Sequence, residues 1–226
     1  MVYDFHTHTS LSDGELSPIE LIRRALVNNY RAIALTDHAA TGSLKRIIQE
    51  TVEVCALARS YWDILAIPGI ELTHVPAQAI AETAKKAKEL GAWLVVVHGE
   101  TIVESVEKGT NLAALHSPHV DILAHPGLLS LEEAELAAKN GIFLEISSRK
   151  GHCLANGHIA SLAQRTGAKL LLASDAHGEQ DLLTAPFADK VIHGTGLDDT
   201  VCRQILTVNP QALLKKLPAS SQGPLY

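Results

Sequence analysis

Side chains that bind divalent metal ions recur in short clusters along the whole chain. Nine of them stand directly after apolar runs or in the loops that follow such runs: His6, His8, Asp13, His38, Glu71, His98, His125, Asp175 and His177. His6 and His8 are two residues apart, so in an extended chain both imidazoles point to one face and can reach one ion. Imidazole suits zinc, iron and other first-row ions, and carboxylates can bridge neighbouring cations. The pattern predicts a centre for several metal ions.

Each cluster needs a strand to position it, and the apolar runs supply seven. Strands are predicted over residues 2–5, 32–36, 64–72, 92–97, 120–123, 143–146 and 169–173. They alternate with helical patterns, which favours parallel strands joined by crossover helices. The carboxyl ends of such strands meet at one edge, where the metal-binding side chains would converge. The predicted fold class is α/β, a barrel of seven strands instead of the eight of a standard TIM barrel.

Six helices are predicted between these strands and after the last one. They cover residues 17–29, 43–58, 76–90, 131–140, 159–166 and 198–206. The first has a marked start, because Ser17 can cap it, Pro18 fits the first helical position and Glu20 completes a capping box. Gly141 and Gly167 predict the ends of two later helices, since glycine readily adopts the left-handed conformation that follows a helix.

The composition is that of one domain with a sizeable core, and it excludes several classes of protein. The chain has 226 residues, of which 46% are hydrophobic, and a formal net charge of -6. This charge and the absence of Lys/Arg-rich runs argue against a general binder of nucleic acid or membrane surfaces. No apolar run approaches the roughly 18 residues that span a bilayer, and no signal peptide is recognised. We expect a cytoplasmic protein with one domain over residues 1–217 and a C-terminal tail over residues 218–226.

A second polar cluster follows the sixth predicted strand. Arg149 offers a planar fork suited to phosphate, Lys150 a point charge and His152 a hydrogen-bonding group. Since this strand ends at the same edge as the others, these three residues are predicted to bind the substrate. Glu145, which lies within the strand, could also contribute to recognition of the substrate. The alternative is an exposed polar turn before the next helix, with Asn156 as its cap.

Three more residues stand beside the predicted ligands. Asp37 could hydrogen-bond to His38. Glu100 could orient a ligand or bind substrate, or it could be a solvated carboxylate at the start of a helix. His74 could approach the metal ions, and a surface or capping role is favoured for it.

The motifs resemble those of the polymerase and histidinol phosphatase (PHP) superfamily over nearly the whole chain. The motifs that carry the resemblance are His6-Thr7-His8, Ser12-Asp13-Gly14, Thr36-Asp37-His38, Glu71, His98, His125 and Asp175-Ala176-His177. Their order and their places at strand ends make the match far more specific than any one short motif. The resemblance implies a distorted, TIM-like (β/α)7 barrel that holds two or three divalent ions, usually manganese, zinc or iron.

The resemblance also implies how the ligands are divided among the ions. A first ion would be held by His6, His8, Glu71 and Asp175. Glu71 would bridge this ion to a second one, held by His98 and His125. A third ion would be held by Asp13, His38 and His177. Many histidinol phosphatases of the superfamily carry a histidine in the loop where this chain has Asp13, and this oxygen ligand could favour manganese or magnesium at the third position.

The predicted function is hydrolysis of a small phosphorylated metabolite, in the manner of a histidinol phosphatase. Metal ions about 3.5–4 Å apart can activate a shared water and stabilise the leaving oxygen. Glu71 would act as the bridge, and Asp13 or His177 could lie near the leaving group. Two alternatives stay open: a metal-dependent hydrolase of C–N or C–O bonds, and a non-catalytic binding domain stabilised by metals. A homo-oligomer is compatible with the sequence, whereas nucleic acid and membrane partners are not expected.

Overall fold

A parallel β-sheet forms the centre of the computed structural model, which describes residues 1–218. Its strands are β1 (Val2–Asp4), β2 (Tyr30–Leu35), β3 (His38–Ala39), β4 (Leu65–Leu72), β5 (Leu94–His98), β6 (Ile122–Ala124), β7 (Phe143–Ser147) and β8 (Leu170–Ala173). The hydrogen-bonded order is β1-β2-β4-β5-β6-β7-β8, and β3 also pairs with β4. All these pairings are parallel.

The short strand β3 continues β2. Leu35 of β2 pairs with Pro68, and His38 of β3 pairs with Glu71, so the register against β4 is unchanged across the gap. Thr36 and Asp37 interrupt the strand just before the predicted ligand His38. The sheet of residues 1–218 therefore has the seven strand positions that the sequence predicts.

The first and last strands approach each other beyond their carboxyl ends. The His8 amide donates a hydrogen bond to the Ala176 carbonyl at 2.8 Å, and the Asp175 amide donates one to the His6 carbonyl at 2.9 Å. Thr7 and Ala176 form a parallel bridge between the same segments. These contacts nearly close the sheet into a barrel, and they confirm the prediction of a distorted, TIM-like α/β fold.

Helices cover the outside of the sheet. Within residues 1–218 they are α1 (Pro18–Val27), α2 (Leu44–Tyr61), α3 (Ile80–Glu89), α4 (Thr110–His116), α5 (Leu131–Asn140), α6 (Asn156–Thr166), α7 (Ala185–His193), α8 (Asp199–Arg203) and α9 (Asn209–Leu214). A π-helical turn over Gln204–Val208 joins α8 to α9, and short 3-10 turns cover Ala77–Ala79, His152–Ala155 and Glu179–Asp181. The six predicted helices are present, and α4, α7 and α9 were not predicted.

Of the predicted helix signals, the cap and the capping box at the start of the first helix are wrong, whereas the proline and the two glycines are confirmed. The Ser17 side chain makes no capping hydrogen bond within residues 1–218, although Pro18 does begin α1. Glu20 does not reach back to Ser17, because its carboxylate pairs with Arg24 one turn later at 3.1 Å. Gly141 and Gly167 end α5 and α6 in left-handed conformations, with φ of 67° and 76°.

The barrel interior separates an apolar end from a polar end. Alternate strand residues such as Ala32, Ile67, Val96 and Phe143 fill the interior and pack against Leu213 of α9. Their neighbours along the strands face outward and pack on the helices. Buried charged and polar side chains collect at the carboxyl ends of the strands, where the site lies.

Two further predictions concern the chain as a whole. In residues 1–218, no helix combines the length and the apolar character needed to cross a membrane. The division into one domain over residues 1–217 and a tail stays a prediction. Residues 219–226 of that tail lie outside the described residues.

Candidate metal centre

The structure brings the nine predicted ligands together at the carboxyl ends of the strands. Six of them are buried: His6, His8, Glu71, His98, His125 and Asp175. The other three form a more open cluster, which we call the mouth cluster: Asp13, His38 and His177. Their side chains are 54%, 26% and 15% exposed, so this cluster lies between the buried ligands and solvent.

Glu71 lies at the centre, with its two carboxylate oxygens facing different histidines. Oε1 is 3.3 Å from His6 Nε2, 3.3 Å from His98 Nδ1 and 3.7 Å from His125 Nε2. Oε2 is 2.5 Å from His38 Nδ1. A carboxylate with ligand-type neighbours on both oxygens has the geometry of a bridge between two ions.

Asp175 has the same two-sided arrangement. Its Oδ1 is 3.0 Å from His8 Nε2 and 3.8 Å from His6 Nε2. Its Oδ2 is 3.8 Å from His125 Nε2 and 3.7 Å from His152 Nε2. The side chain therefore faces the histidines of β1 on one side and those that follow β6 and β7 on the other.

The mouth cluster is arranged around Asp13. Its Oδ2 is 3.3 Å from His177 Nε2 and 3.5 Å from His38 Nε2, and its Oδ1 is 3.9 Å from His8 Nδ1. The His8 ring packs against the rings of both His38 and His177, with centroids 4.2 Å apart in each pair. These four residues form one group with ligand atoms within 4.8 Å of one another.

The loop that carries Asp13 is held by Asp37. The Asp37 carboxylate accepts hydrogen bonds from the amide and hydroxyl of both Thr9 and Ser12, at 2.7 to 3.1 Å. The expected hydrogen bond from Asp37 to His38 is therefore wrong, because the carboxylate is used on the neighbouring loop. Gly14 packs so closely on the chain that a Cβ there would lie 2.4 Å from the His8 carbonyl oxygen.

Glu145 orients His6 from behind. Its Oε2 is 2.6 Å from His6 Nδ1, and both side chains are fully buried. This contact leaves His6 Nε2 facing Glu71 and Asp175. A carboxylate on the second ring nitrogen is the usual partner of a metal-binding histidine. The assignment of Glu145 to substrate recognition is wrong, since the side chain has no access to substrate.

Several buried ligand atoms have no hydrogen-bond partner within residues 1–218. They are His6 Nε2, Glu71 Oε1 and both ring nitrogens of His8, His98 and His125. Buried polar atoms are nearly always paired, so their concentration at one place requires an explanation. Imidazole nitrogens and carboxylate oxygens are the donors that first-row divalent ions prefer. The residues present therefore fit metal ions.

The charges of the centre depend on one another. Burial alone would raise the pKa values of Asp175 and Glu71. The surrounding histidines lower these pKa values by more than burial raises them, so both carboxylates stay ionised. Burial lowers the pKa of His8 to about 4 and that of His125 well below its usual value. Burial also opposes protonation of His38, yet Glu71 and Asp13 raise its pKa to about 9. Without metal, protons on some of the rings balance the carboxylates.

Two of the ligands have a strained backbone. His125 has φ of 26° and Asp175 has φ of 53°, in the left-handed region that residues other than glycine rarely adopt. Both lie within two residues of the end of a strand. Strain of this kind costs about 1–3 kcal/mol and persists where the surroundings enforce it. In His125 and Asp175, this backbone strain accompanies side chains that point into the metal centre.

An open cavity of about 340 Å³ gives access to the ligands. The mouth cluster and His98 line it, together with Arg149 and His152. Arg149 is 32% exposed, and its Nη1 lies 3.0 Å from the Asp175 carbonyl oxygen and 2.8 Å from His177 Nδ1. Lys150 is exposed and lines an adjoining groove instead. Of the three predicted substrate-binding residues, the structure therefore places Arg149 and His152 at the cavity.

Glu104 is a cavity residue that the sequence analysis missed. Its two oxygens lie 3.1 Å from His98 Nε2 and 3.3 Å from His152 Nε2, and its side chain is 45% exposed. It stands in the loop after β5, six residues beyond His98, with no motif around it. The only available signal was a carboxylate in a loop that follows a ligand-bearing strand.

Other polar residues near the centre have structural roles. Glu100 accepts hydrogen bonds from the amides of Gly109 and Asn111, and so caps α4 from the preceding loop. It is half-buried and does not itself stand at the start of a helix, so the solvated helix-start alternative is wrong in this form. Asn156 exchanges two hydrogen bonds with the backbone of Ser147. His74 is exposed and lines the cavity, with its ring 6.1 Å from that of His98.

Residues 4–184 match the family model of the PHP domain. The chain belongs to the PHP domain family. This finding confirms the resemblance that the motifs carry. PHP phosphoesterases are metal-dependent, and this PHP domain has His/Asp/Glu clusters able to bind metals. The division of the nine ligands among particular ions stays a prediction.

Relatives in other organisms extend over almost the same length. An uncharacterized protein of Methanocaldococcus jannaschii is 50% identical over 218 residues, which cover 96% of this chain and 100% of that protein. A probable phosphatase of Shewanella pealeana is 30% identical over 243 aligned positions, covering 98% of this chain and 94% of the relative. These similarities support a metal-dependent phosphoesterase.

Solved structures show the same fold at low sequence identity. A chain of archaeal ribonuclease P, determined with mature tRNA, has a TM-score of 0.71 and 15% identity, covering 98% of this chain and 94% of that one. A candidate histidinol phosphatase of Listeria monocytogenes has a TM-score of 0.58 and 16% identity, covering 80% and 97%. At these identities the likeness concerns the fold alone.

Proposed function

We propose that this PHP domain hydrolyses a phosphoester of a small metabolite, in the manner of a histidinol phosphatase. The observation that carries the proposal is the pair of two-sided carboxylates, Glu71 and Asp175, surrounded by histidines at the base of an open cavity. Two-sided carboxylates suit neighbouring ions, and neighbouring ions suit phosphoryl transfer. A cytoplasmic location is part of the same proposal.

The buried ligands and the mouth cluster would together hold two or three divalent ions. Histidine-rich surroundings favour zinc or iron, and the oxygen ligand of Asp13 makes manganese or magnesium acceptable at the mouth cluster. Such ions, when bound, polarise phosphoryl oxygens, lower the pKa of water and neutralise the charge of the leaving oxygen. The protein supplies the spacing and orientation of the ligands.

Three residues have proposed roles in handling the substrate. Arg149 donates from its guanidinium to phosphoryl oxygens, since it lies at the cavity beside Asp175 and His177. Asp13 and His177, at the mouth, lie on the side where a leaving group meets solvent. Glu71 acts as the bridging carboxylate and keeps its charge because histidines surround it.

The charge of the cavity favours a small substrate over a polymer. Among the described residues that line it, Arg149 is the only arginine or lysine. One such side chain suits one phosphoryl group, whereas a nucleic acid backbone is held by a series of cationic contacts. The cavity volume of about 340 Å³ also lies in the range of small-molecule sites.

Phosphate release by the purified protein tests the proposal. The protein is loaded in turn with manganese, zinc, iron and magnesium, and offered histidinol phosphate, nucleoside monophosphates, sugar phosphates and an aryl phosphate. We expect chelator-sensitive release that Glu71→Gln abolishes. Amide or ester hydrolysis without phosphate release would overturn the proposal in favour of a C–N or C–O hydrolase, and a metal-loaded protein with neither activity would favour the binding domain.

A further inference from the structure

His152 stands apart from the nine ligands in the sequence but not in the structure. It is only 5% exposed, at the start of the 3-10 turn after β7. Its ring stacks on that of His125, with centroids 4.1 Å apart and an interplanar angle of 17°. A side chain this buried has little surface to offer to a substrate, so the predicted substrate-binding role does not account for it.

The two nitrogens of His152 have different surroundings. Nδ1 lies 2.7 Å from the hydroxyl oxygen of Thr101, at hydrogen-bond distance. Nε2 faces carboxylate oxygens, 3.3 Å from Glu104 Oε1 and 3.7 Å from Asp175 Oδ2. When Nδ1 donates its proton to the Thr101 oxygen, the lone pair of Nε2 points towards these carboxylates.

This pattern matches that of His6. There Nδ1 contacts Glu145 from behind and Nε2 faces Glu71 and Asp175. A protein oxygen on one ring nitrogen fixes the tautomer and leaves the other nitrogen free to bind an ion. His152 therefore has the orientation of a ligand.

The neighbours of His152 complete a set of donors. His125, His152 and Asp175 are all buried and offer one ligand atom each within 4.8 Å of one another. The Oδ2 atom of Asp175 faces both imidazoles, while its Oδ1 atom faces His8. Two imidazoles and one carboxylate are donors that suit zinc or iron.

We propose that His152 is a tenth metal ligand, which with His125 and Asp175 holds a divalent first-row ion of the zinc or iron class. The proposal rests on the metal centre of the proposed function, but not on the phosphatase reaction. It assigns Thr101 the role of positioning the His152 ring through Nδ1. It also explains why His152 is buried against ligands instead of lining the outer part of the cavity.

Metal binding to the chelator-treated protein tests the proposal without any substrate. Zinc is titrated by equilibrium dialysis, and cobalt is titrated by its visible absorption spectrum, which reports the donors around the ion. We expect His152→Ala to weaken one ion at least tenfold and to change the cobalt spectrum. His74→Ala is the matched control, because His74 lines the same cavity outside the groups of ligand atoms found among the described residues. Unchanged affinities and an unchanged spectrum in His152→Ala would overturn the proposal.

If His152→Ala does not fold, a second measurement tests whether His152 binds zinc. In ¹⁵N spectra of the wild-type protein, zinc should shift the Nε2 resonance of His152, assigned through bonds, while Nδ1 keeps its proton. Thr101→Val should lower zinc affinity, because the His152 ring loses the hydroxyl oxygen that positions it through Nδ1. A His152 resonance that does not respond to saturating zinc would exclude it as a ligand. Either result is independent of phosphate release, so failure of this proposal and failure of the proposed function are distinguishable.

Discussion

Glu71 carries a negative charge at a place that solvent does not reach. Burial alone would favour the neutral acid, yet His38, His6 and His98 hold its pKa well below the usual value. The same residues have their own protonation favoured by Glu71. The negative charge of Glu71 therefore determines how many protons, or metal cations, the surrounding histidines can hold.

Glu71→Gln should remove metal and activity together. The amide keeps nearly the same shape but loses the charge and one of the two acceptor oxygens, so it cannot bridge two ions. We expect loss of at least one ion by elemental analysis and a fall in rate on the order of 10²-fold or more. Glu100→Gln is the control, because Glu100 caps α4 and its loss should change stability without changing metal content. Full metal content in Glu71→Gln would contradict the bridging role.

Arg149→Ala should weaken substrate use without changing metal content. A hydrogen bond from a charged donor contributes about 1.5–3 kcal/mol, so we expect KM to rise roughly tenfold to a hundredfold. Lys150→Ala is the control, since Lys150 is exposed and lines the adjoining groove. Steady-state kinetics and elemental analysis are the measurements. Loss of metal in Arg149→Ala would show that its contacts to Asp175 and His177 position these ligands.

The elements that hold the centre are loops after strands, and two of these loops are fixed by side chains outside the ligand motif that the loop follows or carries. The loop after β1 brings Asp13 to the mouth cluster because Asp37, between β2 and β3, binds Thr9 and Ser12. The loop after β5 is tied to α4 through Glu100. The position of a ligand therefore depends on the contacts that its loop makes with a neighbouring loop or helix.

Gly14→Ala should disturb the mouth cluster selectively. A Cβ at this position would lie 2.4 Å from the His8 carbonyl oxygen, which is backbone and cannot turn aside. We expect a loss of about 1–3 kcal/mol of stability and weaker binding of one ion, measured by chemical unfolding and by zinc titration. The matched control is Gly42→Ala, where a Cβ would meet no other atom of residues 1–218 within 4 Å. Equal behaviour of the two variants would show that the loop can shift without cost.

Across the whole molecule, the ligands connect the ends of most strands. They lie in β3, β4 and β5 or in the loops that follow β1, β6 and β8. Ions bound there would add to the contacts that already join these segments, which include the sheet and the two hydrogen bonds between the segments that follow β1 and β8. Metal binding should therefore change the stability of the barrel and the number of protons bound to its histidines.

Metal binding at pH 7 should release protons. The pKa of His38 is raised to about 9, because Glu71 and Asp13 outweigh the effect of burial. In the metal-free protein this ring is charged at pH 7, and the stability that its protonation contributes is lost as the pH rises through about 9. An ion requires the neutral ring, so its affinity should fall on acidification. Zinc titration calorimetry in two buffers of different ionisation enthalpy measures the release, and buffer-independent heats would contradict it.

Chelation should lower the melting temperature. An ion at a hundred times its Kd stabilises the folded protein by about 2.7 kcal/mol, which for a chain of this length corresponds to roughly 5–10 °C. Thermal unfolding with and without chelator measures the difference. Glu71→Gln should show a much smaller response, and an equally large one would mean that the stabilising ion binds elsewhere.

Much of the fold could be predicted because its signals are local. Apolar runs mark the seven strands, and Gly141 and Gly167 mark helix ends. The helices α4, α7 and α9 were not predicted because they are short. In addition, α4 follows a glycine, and its cap is supplied by Glu100, nine residues or more before the amides that it binds. A short helix fixed by a distant side chain leaves little periodicity in its own sequence.

The sequence by itself determined the family and the nine predicted metal ligands that the strand ends bring together, since residue type and spacing along a strand are properties of short segments. Only the tertiary structure decided which oxygen faces which ring, that Glu145 lies behind His6, and that Thr101 and Glu104 flank His152. These contacts join residues far apart in the chain, 139 positions for His6 and Glu145 and 51 for Thr101 and His152. Their geometry depends on the curvature and closure of the barrel, which no local pattern encodes.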